Sequence, residues 1–161
     1  MLKPFEEHDF PILQNWVRSK ELLFQFSAVE LSYPLSLEQW QAYQQKYPER
    51  RQYLAMLDNG APYAFGEIIP QDEQSVRLSR LLVGDAQQRG QGLGGRLIEE
   101  LIEKAVKQIA VERIDLFVLA DNQGAIRCYE KAGFQFVEAP LLELAFEGEK
   151  YPVRKMRYSI K

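Results

Sequence analysis

The amino-acid sequence predicts an α/β fold, a mixed central sheet with helices on both faces, in the order β-αα-βββ-α-β-α-ββ. Three observations carry that prediction. Short β-rich runs between Tyr53 and Val83 are joined by turns too tight to hold a helix, which makes them an antiparallel meander. Directly after it, Leu93, Leu97, Ile98, Leu101, Ile102, Ala105, Val106 and Ile109 recur at spacings of three and four, the stripe of a long amphipathic helix. The apolar run Arg113 to Leu119 follows, and a strand reached through a helix lies parallel to its predecessor.

The elements follow in order. Leu2 to Phe5 is a short first strand. Asp9 caps a helix that has Pro11 in its first turn, where the missing N–H does no harm, and Ile12, Leu13, Trp16 and Val17 recur at helical spacing. Phe24, Phe26, Tyr33 and Pro34 read as an aromatic-rich loop. Ser36-Leu37-Glu38-Gln39 is a capping box that opens a second helix through Trp40 and Tyr43. Tyr53 to Leu57 and Ala64 to Ile69 are strands joined across Asp58-Asn59-Gly60, a strong hairpin signal. Val76 to Val83 follows the polar turn Gln71-Asp72-Glu73-Gln74. Asn122 to Ala132 is a short helix ending at Gly133, a natural C′ residue. Phe134 to Val137 with Leu141 to Phe146, and Val153 to Ile160, close the chain as a hairpin across Glu147-Gly148-Glu149-Lys150. No repeat, low-complexity tract or linker divides the sequence, so residues 1–161 are expected to form a single domain.

Composition narrows the function. A chain of 161 residues can bury a full core, and its 46% apolar and 27% charged content is that of an ordinary globular protein. A net charge of −3 does not suggest a nucleic-acid binder, which would show a basic face. The single cysteine, Cys128, excludes an internal disulfide and a thiolate cluster, and the single histidine, His8, excludes a multi-histidine zinc site, so no metal is expected. The N-terminus MLKPFEEHDF carries acidic residues where a secretory leader needs an apolar core, and no apolar run reaches the length of a membrane span. The expectation is a cytoplasmic protein with no nucleic-acid or membrane partner.

The chemistry lies in the loop Arg89-Gly90-Gln91-Gly92-Leu93-Gly94-Gly95, between the end of a strand and the start of the long helix. Backbone N–H groups from Arg89 to Gly95 converge there on a phosphate or pyrophosphate. The glycines permit close approach, and Arg89 can add a charge-assisted contact. Four glycines within six residues cost too much backbone entropy for a turn with no ligand. A Walker A loop is excluded, because Gly95 is followed by Arg96 and Leu97 rather than by Lys and Ser or Thr. Gly90, Gly92 and Gly95 do satisfy G-x-G-x-x-G, with Asp121 as a ribose acid, which keeps a dinucleotide-binding oxidoreductase as an alternative. Against it, such folds place the motif in their first βαβ unit, whereas here a meander precedes it.

The segment Gln88-Arg89-Gly90-Gln91-Gly92-Leu93-Gly94 resembles the acyl-coenzyme A signature Q/R-x-x-G-x-G/A of the GNAT superfamily of N-acetyltransferases, with Arg89, Gly92 and Gly94 at its fixed positions. Asn122 to Phe134 resembles the family's N-x-x-A-x-x-x-Y-x-x-x-G-F segment, and the resemblance spans Ala64 to Val137. It implies a GNAT fold and an acetyl-CoA-dependent enzyme without a metal. That enzyme transfers an acetyl group to a primary amine, of a small molecule or a protein, by direct attack in a ternary complex. It further implies that the strand ending at Val83 splays away from Arg113–Leu119, with the pantetheine arm in the gap. The main chain of Leu81 and Val83 would meet the arm's amides, and an N–H near Leu82, at a bulge, would hold the developing oxyanion. The cofactor-binding set is then Leu81, Leu82, Val83, Gln88, Arg89, Gly90, Gln91, Gly92, Leu93, Gly94, Gly95, Asn122, Ala125, Ile126 and Tyr129. Asn122 is also a good N-cap.

Tyr129 stands at the family's tyrosine. A phenol with an ordinary pKa of about 10 stays protonated at neutral pH and can donate to the departing thiolate; the plainer reading is a packed aromatic. Family members often carry a glutamate on the strand before the glycine loop, but Ser75 to Arg80 holds no carboxylate. Glu67, one strand earlier, is the nearest candidate base; a water chain, Ser79 through water, or an amine that arrives neutral are the alternatives. Cys128 as an acyl carrier lacks a histidine partner. Trp16, Phe24, Phe26, Tyr33 and Trp40 read as core aromatics, with those near the Phe24–Tyr33 loop able to wall the acceptor pocket. The missing strand carboxylate keeps a non-catalytic acyl-CoA sensor as a further alternative, and a homodimer stays open.

Overall fold

The computed structural model of the chain describes residues 1–84 and 91–160. Among them the strands are β1 (Leu2–Pro4), β2 (Arg51–Met56), β3 (Pro62–Asp72), β4 (Ser75–Val83), β5 (Arg113–Leu119), β6 (Gln135–Phe146) and β7 (Glu149–Ser159). The helices are α1 (Phe10–Trp16), α2 (Lys20–Ser27), α3 (Leu37–Lys46), α4 (Leu93–Ile109) and α5 (Gln123–Ala132), with a short 3-10 turn at Glu7–Asp9. The strands form one sheet of order β1-β2-β3-β4-β5-β7-β6, mixed as the sequence predicts. β4 and β5 pair in parallel, and the other neighbours are antiparallel.

Local chemistry accounts for the turns. Gly60 sits at φ 84°, and the hairpin from β6 to β7 turns through Glu147 and Gly148 at φ 51° and 81°, the left-handed pair a two-residue hairpin turn needs. β7 does not stay at the edge. It inserts between β5 and β6, with buried Met156 facing Leu116 and Phe136 in register. β6, exposed along most of its length, takes the edge.

The two faces carry different helices. On one, Leu97, Ile98, Leu101 and Ala105 of α4 pack with Ile126 of α5 onto Val76, Leu78, Ile114 and Leu116. On the other, Leu13 of α1, Leu23 and Phe26 of α2, and Trp40 and Tyr43 of α3 pack onto Leu54, Phe65 and Leu82. Burial at this scale stabilises by roughly 2 kcal/mol per large side chain, before chain entropy is set against it.

Two expectations are corrected. Phe24 and Phe26 lie in a helix, not a loop, so three helices rather than two separate β1 from β2. The Ser19 hydroxyl accepts from the Leu22 N–H at 3.1 Å to cap α2, and Leu23, Phe24, Phe26 and Ser27 are buried. Asp9 precedes α1 as expected, but its carboxylate does not cap it. It accepts instead from the Glu6 backbone N–H at 3.0 Å and from Lys3 Nζ at 2.6 Å, tying the 3-10 turn to β1.

Candidate active site

The site begins where the sheet opens. β4 pairs with β5 from Ser75 opposite Arg113 to Leu78 opposite Leu116, and there the ladder stops, although both strands continue. The split coincides with a bulge on β4. Phe65 and Glu67 on β3 oppose Leu82 and Ser79, so two residues of β4, Arg80 and Leu81, stand opposite Gly66 alone. Arg80 takes the left-handed conformation at φ 52°, which costs a non-glycine residue about 1–2 kcal/mol. The extra residue reverses the alternation. Leu78 packs under α4, whereas Leu82, which regular pleating would send the same way, packs under α1 to α3. From Ser79 to Leu82 the side of β4 turned toward β5 faces no strand.

The start of α4 lies beside this opening. Gly92 is its N-cap, at φ 81° and with no side-chain cap, and the Arg96 N–H closes the first turn on the Gly92 carbonyl at 3.2 Å. The N–H groups of Leu93, Gly94 and Gly95 are thus donors without an intrahelical acceptor. A Cβ added at Gly94 would lie 3.4 Å from Cys128 Sγ and 3.9 Å from Val83 Cγ2. The first turn of α4 therefore closes against both α5 and the end of β4. Gln91 is exposed, and Gln88, Arg89 and Gly90 lie outside the described residues. The arrangement suits a long ligand with an anionic group at the helix start and an amide-bearing arm along β4.

α5 supplies the remaining wall. Asn122 Oδ1 accepts from the Ala125 N–H at 3.2 Å and caps the helix. Ala125 is half-buried, and Ile126, 5% exposed, belongs to the core. Tyr129 is half-buried with its ring centroid 6.2 Å from that of Phe134, and among the described residues its hydroxyl has no hydrogen-bond partner. Burial, with a smaller contribution from Cys128, pushes the phenol far above its ordinary value and keeps it protonated. Burial likewise raises the Cys128 thiol despite nearby Lys131, which disfavours the thiolate an acyl-cysteine would need.

Glu67 lies on the other face, opposite Ser79 in register. It is 0% exposed, and both its oxygens are engaged. Each accepts from the Tyr43 hydroxyl at 2.8 Å, and Oε2 also accepts from Gln52 Nε2 at 2.8 Å. Arg50 Nη1 donates to the Tyr43 oxygen at 2.7 Å. Burial first, then the Glu67 charge, pushes the Tyr43 phenol up to about 12. Tyr43, Gln52 and the arginines of this cluster were not singled out from the sequence. The available signal was Arg77 and Arg80 standing in an otherwise largely apolar strand. Between α2 and the β6–β7 hairpin, a cavity of about 330 Å³ is lined by Leu23, Phe24, Leu31, Tyr33 and Phe146, among others. Among the described residues no helix is long and apolar enough to cross a membrane.

Three comparisons bear on this geometry. A family model described as "Acetyltransferase (GNAT) family" matches residues 12–134, more than half of the chain. An aminoglycoside N(6')-acetyltransferase type 1 of Klebsiella pneumoniae is 29% identical over 147 residues, covering 83% of this chain and 73% of that protein. A spermine/spermidine N(1)-acetyltransferase of Bacillus subtilis is 36% identical over 81 residues, half of each chain. The crystal structure of a spermidine N-acetyltransferase from Vibrio cholerae, in complex with CoA and spermine, superposes with a TM-score of 0.82. That match is 17% identical and covers 99% of this chain and 94% of the other.

Proposed function

The chain belongs to the acetyltransferase (GNAT) family, and from that premise we propose that it transfers the acetyl group of acetyl-CoA to a primary amine by direct attack in a ternary complex, with Tyr129 protonating the departing thiolate. The observation that carries this reading is the parting of β4 from β5 after Leu78, beside the glycine-lined start of α4.

When bound, acetyl-CoA supplies an activated thioester. The N–H groups of Leu93, Gly94 and Gly95 hold its pyrophosphate at the positive end of α4. The main chain of Leu81 to Val83 orients the pantetheine arm, and an N–H of the bulge near Leu82 is the donor for the carbonyl oxygen. Tyr129, kept protonated by burial, gives its proton to the sulfur. Glu67 is the sink for the amine proton. Because it is fully buried, the proton reaches it through water beside Ser79 rather than by direct contact. The aromatic cavity at Phe24, Tyr33 and Phe146 forms a wall of the acceptor side.

The test is release of free thiol from acetyl-CoA in the presence of a panel of primary amines, with the product checked by mass for one added acetyl group. Acetylation of at least one amine, with saturable binding of acetyl-CoA by calorimetry, is the expected result. Binding of acetyl-CoA without turnover of any amine would make the protein an acyl-CoA sensor, and binding of NAD instead would overturn the reading.

A further inference from the structure

Three arginines gather on the face of β4 opposite α4 and α5. Arg80, the bulge residue, places Cζ 5.4 Å from the Tyr43 ring centroid. Arg50 stands 5.5 Å from the same ring and 3.7 Å from that of Tyr47. Arg77, two residues before Ser79, lies 5.5 Å from the ring of Phe117 on β5. The Nε atoms of all three are buried and have no hydrogen-bond partner among the described residues. Neither Arg77 nor Arg80 forms an ion pair with a described carboxylate.

The neighbouring carboxylates are already committed. Glu67 is held by Tyr43 and Gln52. Asp115, opposite Arg77 on β5, accepts from Arg157 at 2.7 Å and from Gln71 at 3.1 Å, with Lys155 at 3.5 Å. Glu30 pairs with Lys46 at 3.8 Å. Burial, and then repulsion from Arg50 and Arg80, lowers the pKa of Arg77. Cation–π contacts offset part of the cost of bringing these charges together, and Arg50 Nη1 is taken up by Tyr43, but the three Nε–H groups are left without an acceptor among the described residues. A guanidinium fork is matched by a carboxylate, which can accept two parallel N–H bonds.

The position of the cluster gives it a use. Arg80 directly precedes the Leu81–Leu82 main chain, and its contact with α3 sets it on the side away from α4 and α5. An amine that approached the thioester from the α1–α3 side would come close to Arg80 and the guanidiniums grouped with it. Resting on the acetyltransferase reading above, we propose that Arg50, Arg77 and Arg80 bind a carboxylate of the acceptor, so that the preferred substrate is an amine that also carries that negative charge, an amino acid being the simplest. The same cluster repels polycationic amines such as spermidine.

Matched acceptors test this. kcat/KM is compared for phenylalanine, phenylalaninamide and spermidine in the wild-type protein and in Arg77→Gln, Arg80→Gln and Arg77→Lys. The acid is expected to exceed the amide by at least about tenfold. Either glutamine variant should erase most of that preference through KM, leaving CoA affinity unchanged, while Arg77→Lys retains part of it. If Arg80→Gln disturbs the bulge and fails to fold, Arg77→Gln carries the comparison. Equal use of acid and amide, or faster use of spermidine, overturns the carboxylate site while leaving the acetyltransferase reading intact. Calorimetry with N-acetylphenylalanine and its amide reads the site without turnover. Binding of the acid alone, lost in Arg77→Gln, supports the proposal even if no acetyl transfer is found, and absence of binding overturns it.

Discussion

Replacing Tyr129 by Phe removes one hydroxyl and keeps the ring that packs beside Phe134. Among the described residues that hydroxyl has no hydrogen-bond partner, so its loss strands no donor or acceptor, and stability should stay within about 1 kcal/mol of wild type. As the acid for the leaving thiolate its loss should be large. General acid catalysis contributes about 10²–10⁴-fold, or about 2.7–5.4 kcal/mol of barrier. The assay is kcat from thiol release between about pH 6 and pH 10, beside CoA calorimetry and urea unfolding. Because burial raises the phenol's pKa, the acid form persists across this range, and Tyr129 contributes no falling basic limb below about pH 10. A variant whose kcat stays within about twofold of wild type refutes the acid role. So does a loss of activity that tracks an equal loss of folded protein.

Further substitutions address the cleft and the frame around it. Gly94→Val sets a branched side chain 3.4 Å from Cys128 Sγ and 3.9 Å from Val83; CoA affinity should fall by about tenfold or more while the unfolding midpoint moves little, as read by calorimetry and thermal melting. Gly84→Ala drives a Cβ to 2.0 Å from the Trp16 indole, so the ring must swing out; a loss of about 2 kcal/mol with a red shift of tryptophan emission is expected. Burial would raise the Asp115 carboxyl, but hydrogen bonds from Arg157 and Gln71 outweigh it and hold the carboxyl below its ordinary value. Its stabilisation is therefore present above the unfolded value of about 3.9 and is lost as pH falls through the lower folded one. Asp115→Asn should cost about 2 kcal/mol in urea at pH 7 and flatten the loss of stability on acidification below about pH 4.

Much of the frame was legible because it is written in short-range patterns. The Ser36 cap, the Asp58-Asn59-Gly60 turn, the α4 stripe and the Gly133 stop each depend on residues within one or two turns of one another, and each appears where the pattern puts it, except that Val106 of the stripe is exposed. Helix α2 was missed for a physical reason. Leu22, Leu23, Phe24 and Phe26 crowd more than one side of it, because it is covered both by the sheet and by the β6–β7 hairpin, where Phe24 stacks on Phe146 at 4.3 Å. A helix buried on two sides shows no clean amphipathic period.

The site divides in the same way. The glycine loop and the Asn122–Phe134 segment named a family, and with it a donor, because a helix start that receives a pyrophosphate is a local device. The cluster proposed for the acceptor side is assembled from distant parts of the chain. Glu67 on β3, Tyr43 on α3, Arg50 before β2, and Arg77 and Arg80 on β4 meet only once α3 packs on the sheet and the bulge turns β4 over at Arg80. The sequence by itself determined the fold class and the cofactor. Which charged side chains gather beside β4 was decided by tertiary structure, since a one-residue bulge at Arg80 and Leu81 reverses the facing of the side chains after it, and the side chains that meet there come from β3, α3 and the chain before β2.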